Sequence, residues 1–142
     1  MLATGPHHTV PCCYQAWGRP KRRMFPGRPD QVSQARRFVA RVLEGCPVAD
    51  DAILCTSELA VNTLHHTKTA TGGTFEVIIW RAQRAVRIAV VDNGSDTMPA
   101  AFPRLTHETS GRGLALVQAL ATRWGYTGNP DRRTVYFTIE WP

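Results

Sequence analysis

Glu58 and Asn62 are the first residues whose types and spacing suit chemistry, and they stand four residues apart in the stretch CTSELAVNTLHHT. Residues i and i+4 lie on the same side of a helix, so the two side chains are neighbours there. An asparagine oxygen suits Mg²⁺, and a glutamate one turn away can orient or deprotonate a nucleophile. A polar helix flank without chemistry is the alternative. For His66, one further turn along, we favour a structural role at the helix end.

A second candidate is the sequence DNG, Asp92–Gly94, which follows a run of alternating apolar residues. An aspartate fixed at a strand end can accept a hydrogen bond from an exocyclic amine such as that of adenine. Gly94 has no side chain, so a planar base can approach the backbone there. The same three residues also form a common turn, and a purely structural role is an equal alternative.

The third candidate is the sequence GRGL, which comprises Gly111, Arg112, Gly113 and Leu114 and opens a predicted helix. The first turn of a helix presents unpaired N–H groups and the positive end of the helix dipole, and both suit phosphate groups. A tight turn would use the same glycines. Each of the three candidates is weak alone, and their order and common crevice are what favour a site.

Hydrophobic periodicity predicts the elements that position these residues. Helices are predicted over 29–46, 48–67 and 111–124, and strands over 21–25, 74–80, 86–92 and 132–141. The order β, α, α, β, β, loop, α, β, β predicts a two-layer α/β sandwich, with a mixed, mostly antiparallel sheet covered on one face by three helices. Asp92 falls on the same side of its strand as Ile88 and Val90. The apolar stripe of the second helix is predicted at Ile53/Leu54, Val61 and Leu64.

The net charge of +6 is concentrated near the N-terminus. Residues 1–20 are rich in Pro, Gly, His and Cys without periodicity, which predicts a disordered leader before a folded domain over 21–142. The first 28 positions include five basic residues and no acidic one; the basic residues are Arg19, Lys21, Arg22, Arg23 and Arg28. Such a tail can contact nucleic acid, but we favour a solvated leader and no nucleic-acid partner.

No run approaches the roughly 20 apolar residues of a membrane-spanning helix, and no apolar signal-peptide core begins the sequence. These features predict a cytoplasmic protein that has no membrane partner. Cys12 and Cys13 are adjacent, whereas Cys46 and Cys55 stand apart, so free thiols in a reducing compartment are predicted. A zinc site formed by Cys12, Cys13 and the pair His7–His8 is the alternative.

The stretches SELAVNTLHHT, VVDNGS and GRGLALVQALATRWG resemble, in that order, the N, G1 and G2 boxes of the histidine-kinase-like ATPase (GHKL) superfamily. Within it, the sequence over about 22–142 is most similar to the compact bacterial anti-sigma factor serine/threonine kinases. The resemblance implies that Asn62 ligates Mg²⁺, that Glu58 is the catalytic base and that Asp92 binds adenine. The nucleotide-binding set implied in this way is Asn62, Asp92, Gly94, Gly111, Arg112, Gly113 and Leu114.

The resemblance also implies a function. It is that of an ATP- and Mg²⁺-dependent anti-sigma factor, which phosphorylates an anti-sigma antagonist, sequesters a sigma factor and forms a homodimer. A non-catalytic, nucleotide-sensing partner switch is the alternative. Two features favour that alternative: Asp96 stands where the G1 box usually has its second glycine, and the following loop over 94–110 is short and contains Pro99 and Pro103.

Overall fold

The computed structural model describes residues 16–66, 68–94 and 111–142. Its elements in chain order are β1 (Lys21–Pro26), α1 (Gln31–Val42), α2 (Ala49–His66), a 3₁₀ helix (Lys68–Ala70), β2 (Thr74–Ala82), β3 (Ala85–Asp92), α3 (Gly111–Leu120), β4 (Arg123–Asn129) and β5 (Arg132–Glu140). The five strands form one sheet in the order β1-β2-β3-β5-β4. This arrangement confirms the predicted two-layer sandwich.

The sheet differs from the expectation in one respect. Each strand pair in the described part of the chain is antiparallel, so the predicted mixed sheet contains no parallel pair there. Alternate residues of each strand point to the helices and form the main core with them. The largest fully buried side chains of this core are Phe25, Phe75, Phe137, Leu43, Leu59, Ile79, Ile88 and Leu114. The antiparallel register therefore brings the inward residues of all the central strands under one helical layer.

The buried face of α2 differs from the predicted stripe. Leu54 and Val61 are 43% and 36% exposed, Ile53 packs against the core, and the helix is buried mainly through small and polar residues together with Leu59. The buried residues are Ala52, Cys55, Thr56, Leu59, Ala60, Asn62 and Thr63. The prediction was wrong because it weighted large apolar residues, whereas small side chains let a helix lie close to a sheet. Asn62 thus lies on the buried face of the helix.

The third helix is shorter than predicted. It ends at Leu120, and Trp124 lies in β4 instead of extending the helical stripe. Thr122 lies between the helix and the strand and is bonded to β5. Its N–H donates to the carbonyl of Thr138 at 2.8 Å, and its hydroxyl accepts from the N–H of Glu140 at 2.9 Å. Trp124 still packs against the core, as predicted, but it does so from a strand and not from a helix.

Residues 16–20 lie against the sheet, although they belong to the predicted leader. The N–H of Gly18 donates to the carbonyl of Arg81 at 2.8 Å. The guanidinium of Arg87 lies 5.1 Å from the ring centre of Trp17 and 5.5 Å from that of Tyr136. These contacts place Trp17 on the sheet face opposite the helices; residues 1–15 lie outside the described part.

Two cysteines bear on the thiol prediction. Cys46 and Cys55 are free and buried, as predicted, and Cys12 and Cys13 lie outside the described residues. Burial raises the pKa of the Cys55 thiol to about 12, with smaller contributions from Asp51 and Glu58.

In the described ranges, no helix is both long and apolar enough to cross a membrane.

Candidate functional site

The second half of α2 is joined to the end of β3 by one buried hydrogen bond. The hydroxyl of Thr63 donates to Oδ2 of Asp92 at 2.9 Å, although the two residues are 29 positions apart in the chain. Thr63 follows Asn62 directly, and Glu58 precedes Asn62 by one turn. The bond therefore brings two of the three candidate motifs to the same crevice between helix and sheet.

The carboxylate of Asp92 has a buried cationic partner in Arg133. Nε and Nη2 of Arg133 lie 3.0 Å and 2.9 Å from Oδ2 of Asp92. The exposed fraction of the side chain is 3% for Arg133 and 0% for Asp92. The N–H of Gly94 donates to the other oxygen, Oδ1, at 2.9 Å. Asp92 is thus a fully enclosed carboxylate with donors on both oxygens.

Burial and charge act in opposite directions on this pair. Burial raises the pKa of Asp92, and the charge of Arg133, followed by the hydrogen bonds from Gly94 and Thr63, works against that rise. Burial likewise lowers the pKa of Arg133, and Asp92 works against that fall. A buried charge is costly unless it is paired and hydrogen-bonded, and here each residue meets that need for the other.

Asn62 is nearly enclosed and has no protein partner in the described ranges. It is 4% exposed, yet none of the hydrogen bonds within 16–66, 68–94 and 111–142 involves its amide. Its amide atoms keep contact with solvent, because they are not among the fully buried side-chain N and O atoms of the described residues that lack a partner. The free amide oxygen therefore fits the predicted role as an Mg²⁺ ligand.

A metal at Asn62 would not be held by a protein cage. In the described part of the chain, no three His, Cys, Asp or Glu residues are grouped so that they could hold a metal ion. Mg²⁺ commonly uses one or two protein oxygens together with waters and substrate phosphates. The surroundings of Asn62 are consistent with that mode and exclude, for these residues, an all-protein site.

Glu58 lies on the same side of α2 as Asn62 and is half-buried. Its carboxylate has no ion-pair partner among the described residues. An acceptor without a competing cation is what a general base requires. Its catalytic role stays a prediction.

The third candidate motif begins the helix that packs on α2. The backbone of Gly111, Arg112 and Gly113 forms the first turn of α3, where N–H groups lack helical partners. Leu114 is completely buried in the main core, so it could meet a ligand only through its backbone. The side chains of Arg112 and His66, together with Asp96 and the rest of the loop over 95–110, lie outside the described residues.

Gly94 and Asn93 each have a structural role in the loop that follows β3. Gly94 has φ of 75°, and a Cβ there would lie 2.5 Å from the carbonyl oxygen of Pro130. The absence of a side chain at Gly94 therefore leaves room for the β4–β5 turn. The sequence had instead predicted that it leaves room for a planar base. Oδ1 of Asn93 accepts from the N–H of Thr74 at 2.8 Å. Within DNG, only Asp92 places its side chain between α2 and β5.

Sequence reasoning missed Thr63 and Arg133, the two side chains that engage Asp92. A signal for Arg133 was present, because it shares the strand parity of Val135, Phe137 and Ile139 and is therefore an inward-facing charge. An inward arginine requires a buried acid. Asp92 is its directly opposite residue in the β3–β5 register.

The sequence was also compared with known proteins. A family model described as the histidine kinase-like ATPase domain matches residues 25–139. The match includes all three candidate motifs and every described helix. No curated protein matches the sequence.

Proposed function

Because the chain belongs to the histidine kinase-like ATPase domain family, we propose that it is an anti-sigma regulatory factor that uses its ATP site for protein phosphorylation. The family supports ATP binding and a regulatory, kinase-like role. The proposal adds a serine or threonine of an anti-sigma antagonist as the phosphate acceptor, and a sigma factor as the protein that is sequestered. It also includes a homodimer and a cytoplasmic location, as expected from the sequence.

The observation that supports this proposal most directly is the unpaired, 4%-exposed amide of Asn62, beside the residue that bonds Asp92. Bound Mg·ATP would supply the transferable phosphoryl group and neutralise its charge. Asn62 offers an oxygen to the metal, and Asp92 offers an acceptor to the exocyclic amine of adenine. The N–H groups of Gly111 and Gly113, in the first turn of α3, would hold the phosphates.

Glu58 completes the proposed mechanism. It lies one turn before Asn62, so a hydroxyl directed to the phosphate end of the site comes within its reach. There it would orient the hydroxyl or accept its proton. Phosphoryl transfer depends mainly on positioning and charge stabilisation, so one base and one metal ligand form a sufficient set.

A non-catalytic, nucleotide-sensing switch is the second candidate function. It is favoured by Asp96, which stands where the G1 box usually has its second glycine, and by the short loop over 94–110, which contains Pro99 and Pro103. Such a protein would bind its partner in a nucleotide-dependent way and transfer no phosphate.

Two measurements test the proposal and separate the candidates. Calorimetric titration with ATP, with and without Mg²⁺, should show binding that Mg²⁺ strengthens. Radiolabel transfer from ATP to candidate antagonist proteins should then show phosphorylation. Absence of ATP binding would refute both functions. Binding with a stable antagonist complex but no transfer would leave the switch.

A further inference from the structure

The carboxylate of Asp92 is engaged on both oxygens by groups of the protein itself. Oδ2 receives the hydroxyl of Thr63 and the Nε–H of Arg133, whose Nη2 lies 2.9 Å from the same oxygen, and Oδ1 receives the N–H of Gly94. A carboxylate has about four lone-pair sites on its two oxygens. Both sites on Oδ2 are therefore taken, Oδ1 keeps one beside Gly94, and no part of the side chain is exposed to a donor from outside.

A base that is recognised through Asp92 must therefore displace a donor or make space beside one. Gly94 has little room to move, because even a Cβ added to it would lie 2.5 Å from the carbonyl oxygen of Pro130 and 2.8 Å from the backbone nitrogen of Arg132. Thr63 is fixed as well, since its short side chain is buried in the last turn of α2. Arg133 differs from both, because its guanidinium stands on a flexible arm of three methylene groups.

We propose that Arg133 determines the affinity and base specificity of the nucleotide site: its guanidinium occupies the place on Asp92 that the exocyclic amine of adenine would take, and it must move aside for the base to bind. This rests on the proposed function, because it assumes that Asp92 belongs to the adenine site. It adds a residue from β5 to the site and a cost to every binding event.

The exchange favours a base that carries an amine. Leaving Asp92 uncompensated in a buried place is expensive, so a base that displaces Arg133 must bring a donor of its own. Adenine brings one at its 6-position, whereas hypoxanthine has an oxo group there and would set two acceptors against each other. ATP should consequently bind more tightly than ITP.

The test compares ATP and ITP binding by calorimetry in the full chain and three variants. Arg133→Ser removes the internal donor, and Arg133→Lys retains the charge with a single donor group. Arg132→Ser is the matched control, because Arg132 is the adjacent but exposed arginine of the same strand. Thermal melts confirm that each variant is folded at the assay temperature.

Arg133→Ser is expected to bind ATP about tenfold to hundredfold more tightly than the natural sequence, the range that the loss of one charge-assisted contact gives. Arg133→Lys should fall between the two, Arg132→Ser should match the natural sequence, and ITP should gain less than ATP. If folded Arg133→Ser binds ATP equally or more weakly, Arg133 is a structural partner and the proposal is overturned.

A second measurement uses the natural sequence and therefore does not depend on a variant that folds. The ¹⁵N resonance of the Arg133 Nε–H group, assigned with Arg133→Lys, should shift on addition of ATP and shift less with ITP. A resonance unchanged at saturating ATP would overturn the proposal while leaving ATP binding intact. ATP binding by neither the natural sequence nor Arg133→Ser would remove the proposed function and this inference together. Binding by Arg133→Ser alone would support the inference.

Discussion

Replacing Asp92 with asparagine should reveal how much the Asp92–Arg133 pair contributes to the fold in the absence of any nucleotide. The substitution leaves Arg133 as a cation whose side chain is 3% exposed and whose partner is now a neutral amide. Removal of one partner of a buried ion pair costs about 3–5 kcal/mol in free energy of unfolding. For a chain of this size, that corresponds to a melting temperature lower by roughly 10 °C.

The size of the effect can be assigned to the pair with a double-mutant cycle. Arg133→Met removes the cation and leaves the buried carboxylate of Asp92 without its partner. The double variant Asp92→Asn/Arg133→Met buries no charge at this place. It should therefore lose less stability than the sum of the single variants, by up to about 3 kcal/mol.

Urea denaturation followed by circular dichroism, without nucleotide, measures all four proteins. Arg132→Met is the control for loss of an arginine from the same strand at an exposed position. The reasoning fails if Asp92→Asn costs less than about 1 kcal/mol, or if the two single effects simply add. Either result would mean that water reaches the pair and that its enclosure is not what stabilises the fold.

Four further outcomes are expected. Asn62→Ala should abolish the Mg²⁺ dependence of ATP binding in calorimetry, because a methyl group supplies no oxygen ligand; equal dependence in both proteins would make Asn62 structural. Glu58→Gln should retain ATP binding and slow radiolabel transfer by about 10²- to 10⁴-fold, and an unaffected rate would remove it as the base. Gly94→Ala should destabilise the fold in urea, because its Cβ would lie 2.5 Å from the Pro130 carbonyl oxygen at a φ of 75°; unchanged stability would show that the turn moves freely. The pKa of Cys55 is raised from about 9 in the unfolded chain to about 12 in the folded protein. Its contribution to stability is therefore complete below pH 9 and is lost as pH rises towards 12. Unfolding free energy should fall over that window in the natural sequence and less in Cys55→Ala, and parallel pH profiles would contradict this.

The strands were the most predictable part of the fold, because alternation fixes the direction of every side chain at once. Counting from Ile88 and Val90 placed Asp92 inward, and the structure encloses it. The same count from Val135 would have placed Arg133 inward too. Its partner remained hidden, since the pairing of β3 with β5 joins residues 41 positions apart and depends on the strand order.

The helices were harder to orient from the sequence. In α2, large apolar residues indicated one face, but close packing on the sheet selected small residues such as Ala52, Cys55 and Ala60 for the other. Size complementarity between two surfaces decides such a face, and one sequence shows only one of the surfaces at a time. The spacing of Glu58 and Asn62 was correct under either orientation, because it follows from the helical repeat alone.

The outer edge of the sheet has a consequence for self-association. An unpaired edge strand offers its backbone to any other strand, and proteins often block such additions with charge and proline. On β1, Arg22 is paired with Glu76, while the exposed cations Lys21 and Arg23 share the face of Phe25, and Pro26 ends the strand. Two copies meeting antiparallel along β1 would set these cations against one another. A continuous sheet across two copies is therefore disfavoured at the β1 edge.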